Sequence, residues 1–274
     1  MSTWRRGNGL TAAGLAMLAG LALIALAAPW IAPHDPEAID VMGVLGGPSL
    51  AHPFGLDALG RDVLSRVLFS LRISLLVSLS SVIVATGLAV PLGLMAGYFG
   101  GWVDTSISRS VDMLLVLPAM LLAITLIAIL GPGSAVAALA IALIYLPILA
   151  RVMRTSTQVV TGQDYVAGSR ARGASHFRVL AGHVAPNALG PVVVQASVLC
   201  AFALQLEAGL SFLGLGTQPP TPSLGGMLAD GRDVLIQAPW VEIFPGLAIV
   251  IAVLAFTFLG EGLRRVFDPR GVAE

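Results

Sequence analysis

The sequence predicts an all-α integral membrane protein with six transmembrane helices. The chain is 57% hydrophobic and 11% charged, with a mean hydropathy of +0.91, whereas about a quarter of the residues in a soluble domain are charged. Its apolar residues also form uncharged runs that are long enough to cross about 30 Å of hydrocarbon as helices. Finally, the arginines concentrate between alternate runs, as an even number of crossings requires.

Each crossing follows from an apolar run that is uncharged, except for Glu207 in the fifth run. The runs at residues 10–31, 74–99, 189–213 and 243–260 each match one helix of about 20 residues. The uncharged stretch between Asp112 and Arg151 is too long for one crossing. Gly131-Pro132-Gly133 near its middle indicates a turn, so this stretch predicts a two-helix hairpin that forms the third and fourth crossings.

The arginines predict that both termini are cytoplasmic, because arginine concentrates on that side of a membrane. Six crossings place the following residues in cytoplasmic segments: Arg5, Arg6, Arg109, Arg151, Arg154, Arg170, Arg172, Arg178, Arg264, Arg265 and Arg270. They leave Arg61, Arg66, Arg72 and Arg232 outside. A miscount by one helix would reverse the side of either the termini or the central basic loop.

The first run has a second interpretation. Arg5-Arg6, the apolar run and Ala25-Leu26-Ala27 also resemble a secretory signal with a small-residue cleavage site. The run is longer than the apolar part of a usual signal, and its removal would leave five crossings. We expect it to be retained as an anchor.

Two long segments are predicted outside, residues 33–71 and 214–242. Residues 60–69 predict a surface-lying amphipathic helix, with Val63 and Val67 on its apolar face and Asp62, Ser65 and Arg66 on its polar face. The second segment contains prolines at 219, 220 and 222, which favour a stiff connection. That connection either caps a pathway, receives a partner or serves only as a connector.

Several chemistries are excluded or disfavoured by composition. All fifteen basic residues are arginine, so a P-loop or Schiff-base lysine is absent. Cys200 is the only cysteine and is expected to be a small buried side chain. The net charge of zero gives no argument for nucleic-acid binding. The four histidines show no metal-ligand spacing, so no metal site, catalytic residue or cofactor is predicted in this chain.

The segment between the fourth and fifth crossings, at about residues 155–187, predicts a helical hairpin. Residues 165–172 favour a short helix, Gly173 breaks it, Ser175 caps a second helix, and Pro186 is expected to end that helix. A connection this long between two crossings indicates contact with something in the cytoplasm.

At these residues the sequence resembles the coupling loop of binding-protein-dependent ABC importer permeases. The family's Glu-Ala-Ala triplet aligns on Ala167, Gly168 and Ser169, so only small size is retained there, and the loop glycine matches Gly173. The resemblance implies contact with an ATPase through Tyr165, Ala167, Gly168, Arg170, Ala171, Arg172, Gly173, Ala174, Ser175, His183 and Pro186.

Further motifs resemble the dipeptide, oligopeptide and nickel branch, in the subunit with an extra amino-terminal span. They are His52-Pro53-Phe54-Gly55-Leu56-Asp57, Gly60-Arg61-Asp62, Gly97-Tyr98-Phe99-Gly100-Gly101-Trp102-Val103-Asp104, Leu210-Ser211-Phe212-Leu213-Gly214-Leu215-Gly216, Gln218-Pro219-Pro220-Thr221-Pro222-Ser223, Ala238-Pro239-Trp240, Gly262-Leu263-Arg264-Arg265 and Asp268-Pro269-Arg270.

This resemblance implies a type I ABC importer permease core at residues 72–261, preceded by an amino-terminal span and external segment at 1–71 and followed by a cytoplasmic tail at 262–274. It implies four kinds of interaction in a bacterial inner membrane: a second similar permease, two cytoplasmic ATPases that bind the ATP, an external solute-binding protein, and the lipid itself. The implied cargo is a peptide or a related small solute, with nickel also open. The expected mechanism is alternating access.

Two questions stay open at the level of sequence. Glu207 lies in the apolar fifth run, where ionisable groups are costly. It predicts a place in the pathway or its gate, or else a structural, hydrogen-bonded carboxyl near the outer interface. An ion-coupled secondary transporter is the alternative function, although such a carrier would need more ionisable groups in the membrane than Glu207 and no large cytoplasmic hairpin.

Overall fold

A computed structural model describes residues 2–267, with side chains from Thr11 onward. Arg270, the Asp268–Arg270 motif and the side chains of Arg5 and Arg6 lie outside the described residues. The helices are α1 Ser2–Ile31, α2 Val63–Phe99, α3 Gly101–Asp112, α4 Ala119–Leu130, α5 Ser134–Thr161, α6 Asp164–Ala171, α7 His176–Val179, α8 Ala185–Phe212, α9 Leu224–Arg232 and α10 Trp240–Phe267. A 3₁₀ turn, Met113–Leu115, follows α3, and a π-helical turn, Leu180–Val184, joins α7 to α8.

Within residues 2–267, five helical stretches are long and apolar enough to cross a membrane: Thr11–Ile31, Val63–Phe99, Ser134–Thr161, His176–Phe212 and Trp240–Phe267. The third crossing was predicted as one helix, but the structure has a bent pair of shorter helices here. Its helix α4 has 12 residues, about 18 Å, and α3 with its 3₁₀ turn meets α4 at a bend of 86°. The protein therefore has six crossings only if this bent pair counts as one broken span.

Proline explains the broken span. Pro118 lies directly before α4, and a proline keeps the preceding residue out of helical geometry. Counting charges detects the uncharged stretch but not this break. The turn expected at Gly131–Gly133 does lie between α4 and α5.

Small residues recur every four positions along α2, at Ala85, Ala89, Gly93 and Gly97, a pattern that predicts close packing of helices. This face packs against α5. Ala85 and Ala89 are fully buried. A Cβ added at Gly93 would lie 2.6 Å from Cβ of Met153, and one at Gly97 would lie 2.6 Å from the carbonyl oxygen of Arg154. The two backbones approach this closely because glycine has no side chain.

The amino-terminal helix α1 packs along α10. A Cβ at Gly14 would lie 2.4 Å from the backbone nitrogen of Leu259, and one at Gly262 would lie 2.6 Å from Cα of Thr11. Ala25, in the stretch that resembles a cleavage site, is buried. The helix is therefore an integral part of the folded bundle.

The prediction for residues 60–69 was wrong about the polar face. Residues from Val63 belong to the continuous helix α2, and Asp62, Ser65 and Arg66 are all buried, Arg66 with 4% of its surface exposed. The cause is tertiary, because the backbone of His34 and the carboxylate of Asp57 lie against this face.

We call residues 32–62 and 213–239 the cap region. Its two segments share a small apolar core with the starts of α2 and α10, formed by Val63, Val67, Leu224, Met227, Ala238 and Val241. Phe54 stacks on Phe244 with ring centroids 3.8 Å apart, and Nε1 of Trp240 donates to the carbonyl oxygen of Leu56 over 3.1 Å. The cap region also contains α9, a helix that the sequence did not predict.

Candidate functional site

The candidate site is the central hairpin, which we define as residues 164–184. Its first helix, α6, ends in a glycine turn. Gly173 has φ +81°, its N–H donates to the carbonyl oxygen of Arg170 over 2.9 Å, and the N–H of Ala174 donates to that of Ser169 over 3.3 Å. This pair of bonds is the Schellman arrangement, which favours glycine at the left-handed position. The helix break predicted at Gly173 is confirmed.

The second arm of the hairpin differs from expectation at its end. The Oγ of Ser175 caps α7 by accepting from the N–H of Arg178 over 3.4 Å, as predicted. Pro186, however, does not end this arm but lies at the start of α8. The π-helical turn precedes it, and its wider coil relieves the clash between a proline ring and the carbonyl four residues earlier. The hairpin therefore continues directly into α8.

A small apolar core gives the hairpin a defined shape. Val166 of α6, Val179 of α7 and Val184 of the π turn are fully buried and pack together with Tyr98. Because these residues come from both arms and from α2, the hairpin is held as a single packed unit.

Tyr98, in the last turn of α2, contacts the hairpin through a hydrogen bond and a cation–π interaction. Its Oη lies 3.0 Å from Nδ1 of His176, and the guanidinium of Arg170 lies 4.6 Å from the centre of its ring. Such cation–π contacts contribute about 0.5–1 kcal/mol when exposed. Arg170, an expected ATPase contact, thus contacts the chain's own α2. The motif containing Tyr98 had indicated only a family resemblance.

The other predicted coupling residues mostly face outward. Exposed ones are Tyr165, Ala167, Ala171, Arg172, Gly173, Ser175 and Pro186, whereas Gly168, Ala174 and His183 are partly buried. Phe177 is 80% exposed and was missed by sequence reasoning. The sequence does place an aromatic residue two positions after the capping Ser175. An aromatic ring exposed on this hairpin indicates a contact with a partner protein.

Glu207 lies near the other end of α8 and is not brought to the hairpin. The side chain is buried, with 1% of the residue exposed. One carboxylate oxygen accepts from Oγ of Ser74 on α2 over 2.7 Å, and the other accepts from Oγ of Ser211 over 2.8 Å. Both oxygens are hydrogen-bonded within the chain, and the bond to Ser74 joins α2 to α8.

Comparison with known protein families identifies the family of this chain. Residues 89–271 match the family described as the binding-protein-dependent transport system inner membrane component. The chain belongs to this family. Residues 4–52 match the N-terminal transmembrane domain of oligopeptide transport permease C, so this permease is of the branch with an added amino-terminal span.

Relatives of this permease align over nearly its whole length. The dipeptide transport system permease protein DppC of Alkalihalophilus pseudofirmus is 38% identical over 98% of this chain and 91% of the relative. The glutathione transport system permease protein GsiD of Pectobacterium atrosepticum is 42% identical over 97% and 90%. The di/tripeptide transport system permease protein DppC of Pseudomonas aeruginosa is 41% identical over 94% and 87%.

Solved structures show the same fold. The MetNI methionine ABC transporter in inward-facing conformations contains a chain that matches this permease with a TM-score of 0.60 and 18% identity, over 74% of this chain and 96% of that one. An amino acid ABC transporter with histidines matches with a TM-score of 0.56 and 14% identity, over 71% and 91%. The type I ABC importer permease fold is therefore confirmed.

The chain is thus a permease subunit of an ABC importer and an integral membrane protein, not an enzyme. Its family acts together with ATPase and substrate-binding components. Neither the fold nor the relatives support the ion-coupled alternative.

Proposed function

We propose that this permease forms half of a peptide pathway through a bacterial inner membrane. It pairs with a second similar permease. Two cytoplasmic ATPases bind all the ATP, and one of them contacts the central hairpin of this chain. An external solute-binding protein delivers cargo to the cap region. The observation that carries the coupling role is a packed hairpin that continues directly into α8. Peptide cargo is supported by relatives named for dipeptides, di/tripeptides and glutathione.

The hairpin is rigidly connected to two membrane helices. It is joined to α8 by an uninterrupted helical backbone and to α2 by the contacts of His176 and Arg170 with Tyr98. A displacement of the hairpin by an ATPase would therefore move the ends of two membrane helices together. Alternating access needs such coupled, rigid movement between two packed arrangements.

Phe177 is the proposed anchor in the ATPase groove. Aromatic residues and arginines supply most binding energy at protein interfaces. The hairpin exposes the ring of Phe177 and also the side chains of Arg172 and Arg178. The remaining exposed residues of the hairpin would surround this anchor.

The geometry of α2 supports the proposed orientation in the membrane. Its 37 residues span about 55 Å, its first residue, Val63, packs in the cap region, and Tyr98 near its end contacts the hairpin. The cap region and the hairpin thus lie at opposite ends of a helix longer than the bilayer core. With the hairpin in the cytoplasm, both termini are cytoplasmic and the cap region is external. In this proposal residues 72–261 are the permease core, 1–71 the added span and external segment, and 262–274 the tail.

The broken span offers a surface for the second permease. Met113 and Val116, in the connection between α3 and α4, and Ile129, on α4, are exposed large apolar residues. Their exposure is far greater than that of the α2 and α5 faces that pack together. In the assembled importer we expect a second permease, with lipid at its margin, to cover this surface.

Replacement of Phe177 tests the coupling role. Removal of a central aromatic anchor typically costs at least about 2 kcal/mol of binding free energy. Phe177→Ala should therefore weaken the affinity of the permease for the ATPase about 30-fold, so that less ATPase co-purifies, and should reduce uptake in proteoliposomes. Trp30→Ala is the matched control, because Trp30 is 83% exposed at the end of α1, away from the hairpin. Equal ATPase retention in the two variants would contradict the proposed docking site.

Competition identifies the cargo. Vesicles containing the complete importer and its binding protein should take up a labelled dipeptide, and unlabelled di- or tripeptide should inhibit this uptake. Uptake of labelled Ni²⁺ by the same vesicles, with no uptake of the labelled dipeptide, would replace peptide by nickel as the cargo while leaving the coupling role intact.

A further inference from the structure

Two histidines and one aspartate converge where the cap region meets α2. Asp62 is the residue that caps α2, His52 comes from the middle of the first cap segment, and His34 follows α1. Nδ1 of His52 lies 2.9 Å from Oδ1 of Asp62, and Nδ1 of His34 lies 3.8 Å from the same oxygen. The two imidazole rings stack with centroids 4.4 Å apart.

The carboxylate of Asp62 is held in one orientation. Its Oδ2 accepts from both the N–H and the Oγ of Ser65, over 2.8 and 2.7 Å. Oγ of Ser65 in turn accepts from the backbone N–H of His34 over 3.1 Å. Oδ1 is therefore presented to the two histidines by a network that also fixes the position of His34.

An ordinary histidine–aspartate hydrogen bond explains only part of this arrangement. It accounts for His52, but Nδ1 of His34 is buried without a hydrogen-bond partner. Nearby arginines do not neutralise Asp62, because Arg61 and Arg66 are both directed at Asp57. The cluster thus combines a buried carboxylate, 1% exposed at its side chain, with an unpartnered nitrogen aimed at it.

We propose that His34, His52 and Asp62 bind one divalent transition-metal ion of the Zn²⁺ class. Two imidazole nitrogens and one carboxylate oxygen are ligands that such ions accept, with bonds of about 2.0–2.2 Å. Tetrahedral bonds of this length place ligand atoms roughly 3.3 Å apart. The atoms offered here lie within 4.8 Å of one another, and the distances of 2.9 and 3.8 Å to Oδ1 lie on either side of that spacing. Shifts of about half an ångström would bring both histidine nitrogens to this spacing from Oδ1 of Asp62.

Ser65 is the positioning residue of this site. It holds the oxygen of Asp62 that does not face the histidines, as supporting hydrogen bonds do around metal ligands. The side chain of His34 is 38% exposed, so an ion reaches the site from water. Three protein ligands leave coordination positions for water or an external donor group.

A bound ion would join the end of α1, the first cap segment and the start of α2. These three parts are connected along the chain only by irregular structure. The ion would stabilise the cap region in its packed arrangement. This inference does not depend on the cargo or on the hairpin.

Zn²⁺ binding by the full-length chain tests the site. The protein is purified with a tag that lacks histidine, stripped with chelator, placed in lipid nanodiscs and dialysed against Zn²⁺. We expect one Zn²⁺ ion to bind per chain. His34→Ala or His52→Ala should each weaken the Zn²⁺ affinity by about tenfold or more. His183→Ala is the matched control, because His183 lies in the hairpin at the other end of α2, and it should retain the affinity and stoichiometry.

Asp62→Asn guards against a loss that only reflects unfolding. Asparagine caps a helix about as well as aspartate, so this variant should keep its metal-free thermal midpoint while losing Zn²⁺ affinity. Electron paramagnetic resonance with Cu²⁺ supplies a signature that a structural role cannot imitate, since two coordinating nitrogens should fall to one in His34→Ala. Binding that is unchanged in His34→Ala and Asp62→Asn, or a Cu²⁺ spectrum without nitrogen coupling, would overturn the proposal.

Discussion

At the residue scale, Gly173 shows which property of glycine the hairpin needs. A Cβ at this position meets no described atom of the chain within 4 Å, so intramolecular packing does not require a small residue here. Its φ of +81° does, because left-handed geometry costs other residues about 1–2 kcal/mol. The sequence predicted the break correctly. A second explanation for glycine at this position is close approach to the ATPase.

Gly173→Val and Gly173→Asn separate these two explanations. Asparagine tolerates left-handed geometry better than a β-branched residue, so Gly173→Asn should retain most uptake and ATPase stimulation in proteoliposomes. Gly173→Val should lose most of both while still inserting into the membrane. Equal losses in the two variants would assign the requirement to side-chain size at the ATPase contact.

Glu207 is the second residue whose surroundings make a prediction. Both of its oxygens accept serine hydroxyls within the chain. Glu207→Gln keeps a similar volume and hydrogen-bonding capacity, so the thermal midpoint should change little. Glu207→Ala leaves a cavity and an unpaired Ser74, which should cost about 2–4 kcal/mol of unfolding free energy. Thermal unfolding in detergent measures both changes.

Ser74→Ala tests whether the bond to α2 carries that loss. The double variant Ser74→Ala/Glu207→Ala should lose much less unfolding free energy than the sum of the losses in the two single variants, because both changes remove the same contact. A Glu207→Gln variant with native stability and no uptake would support the gate hypothesis instead.

At the scale of elements, the pairing of α2 with α5 depends on glycine at one face. Gly93→Ala places a Cβ 2.6 Å from Cβ of Met153 and 2.7 Å from the carbonyl oxygen of Ala150. We expect a loss of about 1–3 kcal/mol from overpacking. Gly87→Ala is the matched control on the same helix, since a Cβ there meets nothing within 4 Å and alanine stabilises a helix relative to glycine by about 0.5–1 kcal/mol. Stability changes of the same sign and size in both variants would contradict the close contact.

The broken third crossing shows a limit of the same kind of reasoning. The absence of charge from 113 to 150 is visible in the sequence and indicates that the stretch avoids water. It does not distinguish two full crossings from one bent and one straight crossing. Pro118 was the available signal, because proline disfavours continuous helix on its amino-terminal side.

At the scale of the whole molecule, opposite ends of α2 should be accessible from opposite sides of the membrane. Leu50 is fully exposed in the cap region and Phe177 is exposed in the hairpin. In intact spheroplasts, a membrane-impermeant maleimide should label Leu50→Cys and should label Phe177→Cys only after the membrane is opened. Cys200 is the only native cysteine and is buried, so the unchanged chain is the unlabelled control. Labelling of Phe177→Cys from outside would reverse the proposed topology.

The sequence by itself determined the class of the molecule. Hydropathy, the lengths of uncharged runs and the positions of glycine and arginine are properties of local stretches, and they predicted a helical membrane protein, the small-residue face of α2 and the break at Gly173. The motifs also indicated the permease family. These features survive without knowledge of the packing because a lipid solvent and the backbone act on each segment separately.

Only the tertiary structure decided which polar groups meet. Asp62, Ser65 and Arg66 were predicted to face water, yet the cap region buries them. Likewise, Tyr98 meets His176, Ser74 meets Glu207, and His34 meets His52 and Asp62. The physical reason is that a buried polar group needs a partner, and in a bundle that partner comes from wherever another helix or loop happens to pack, at a distance along the chain that no local pattern records.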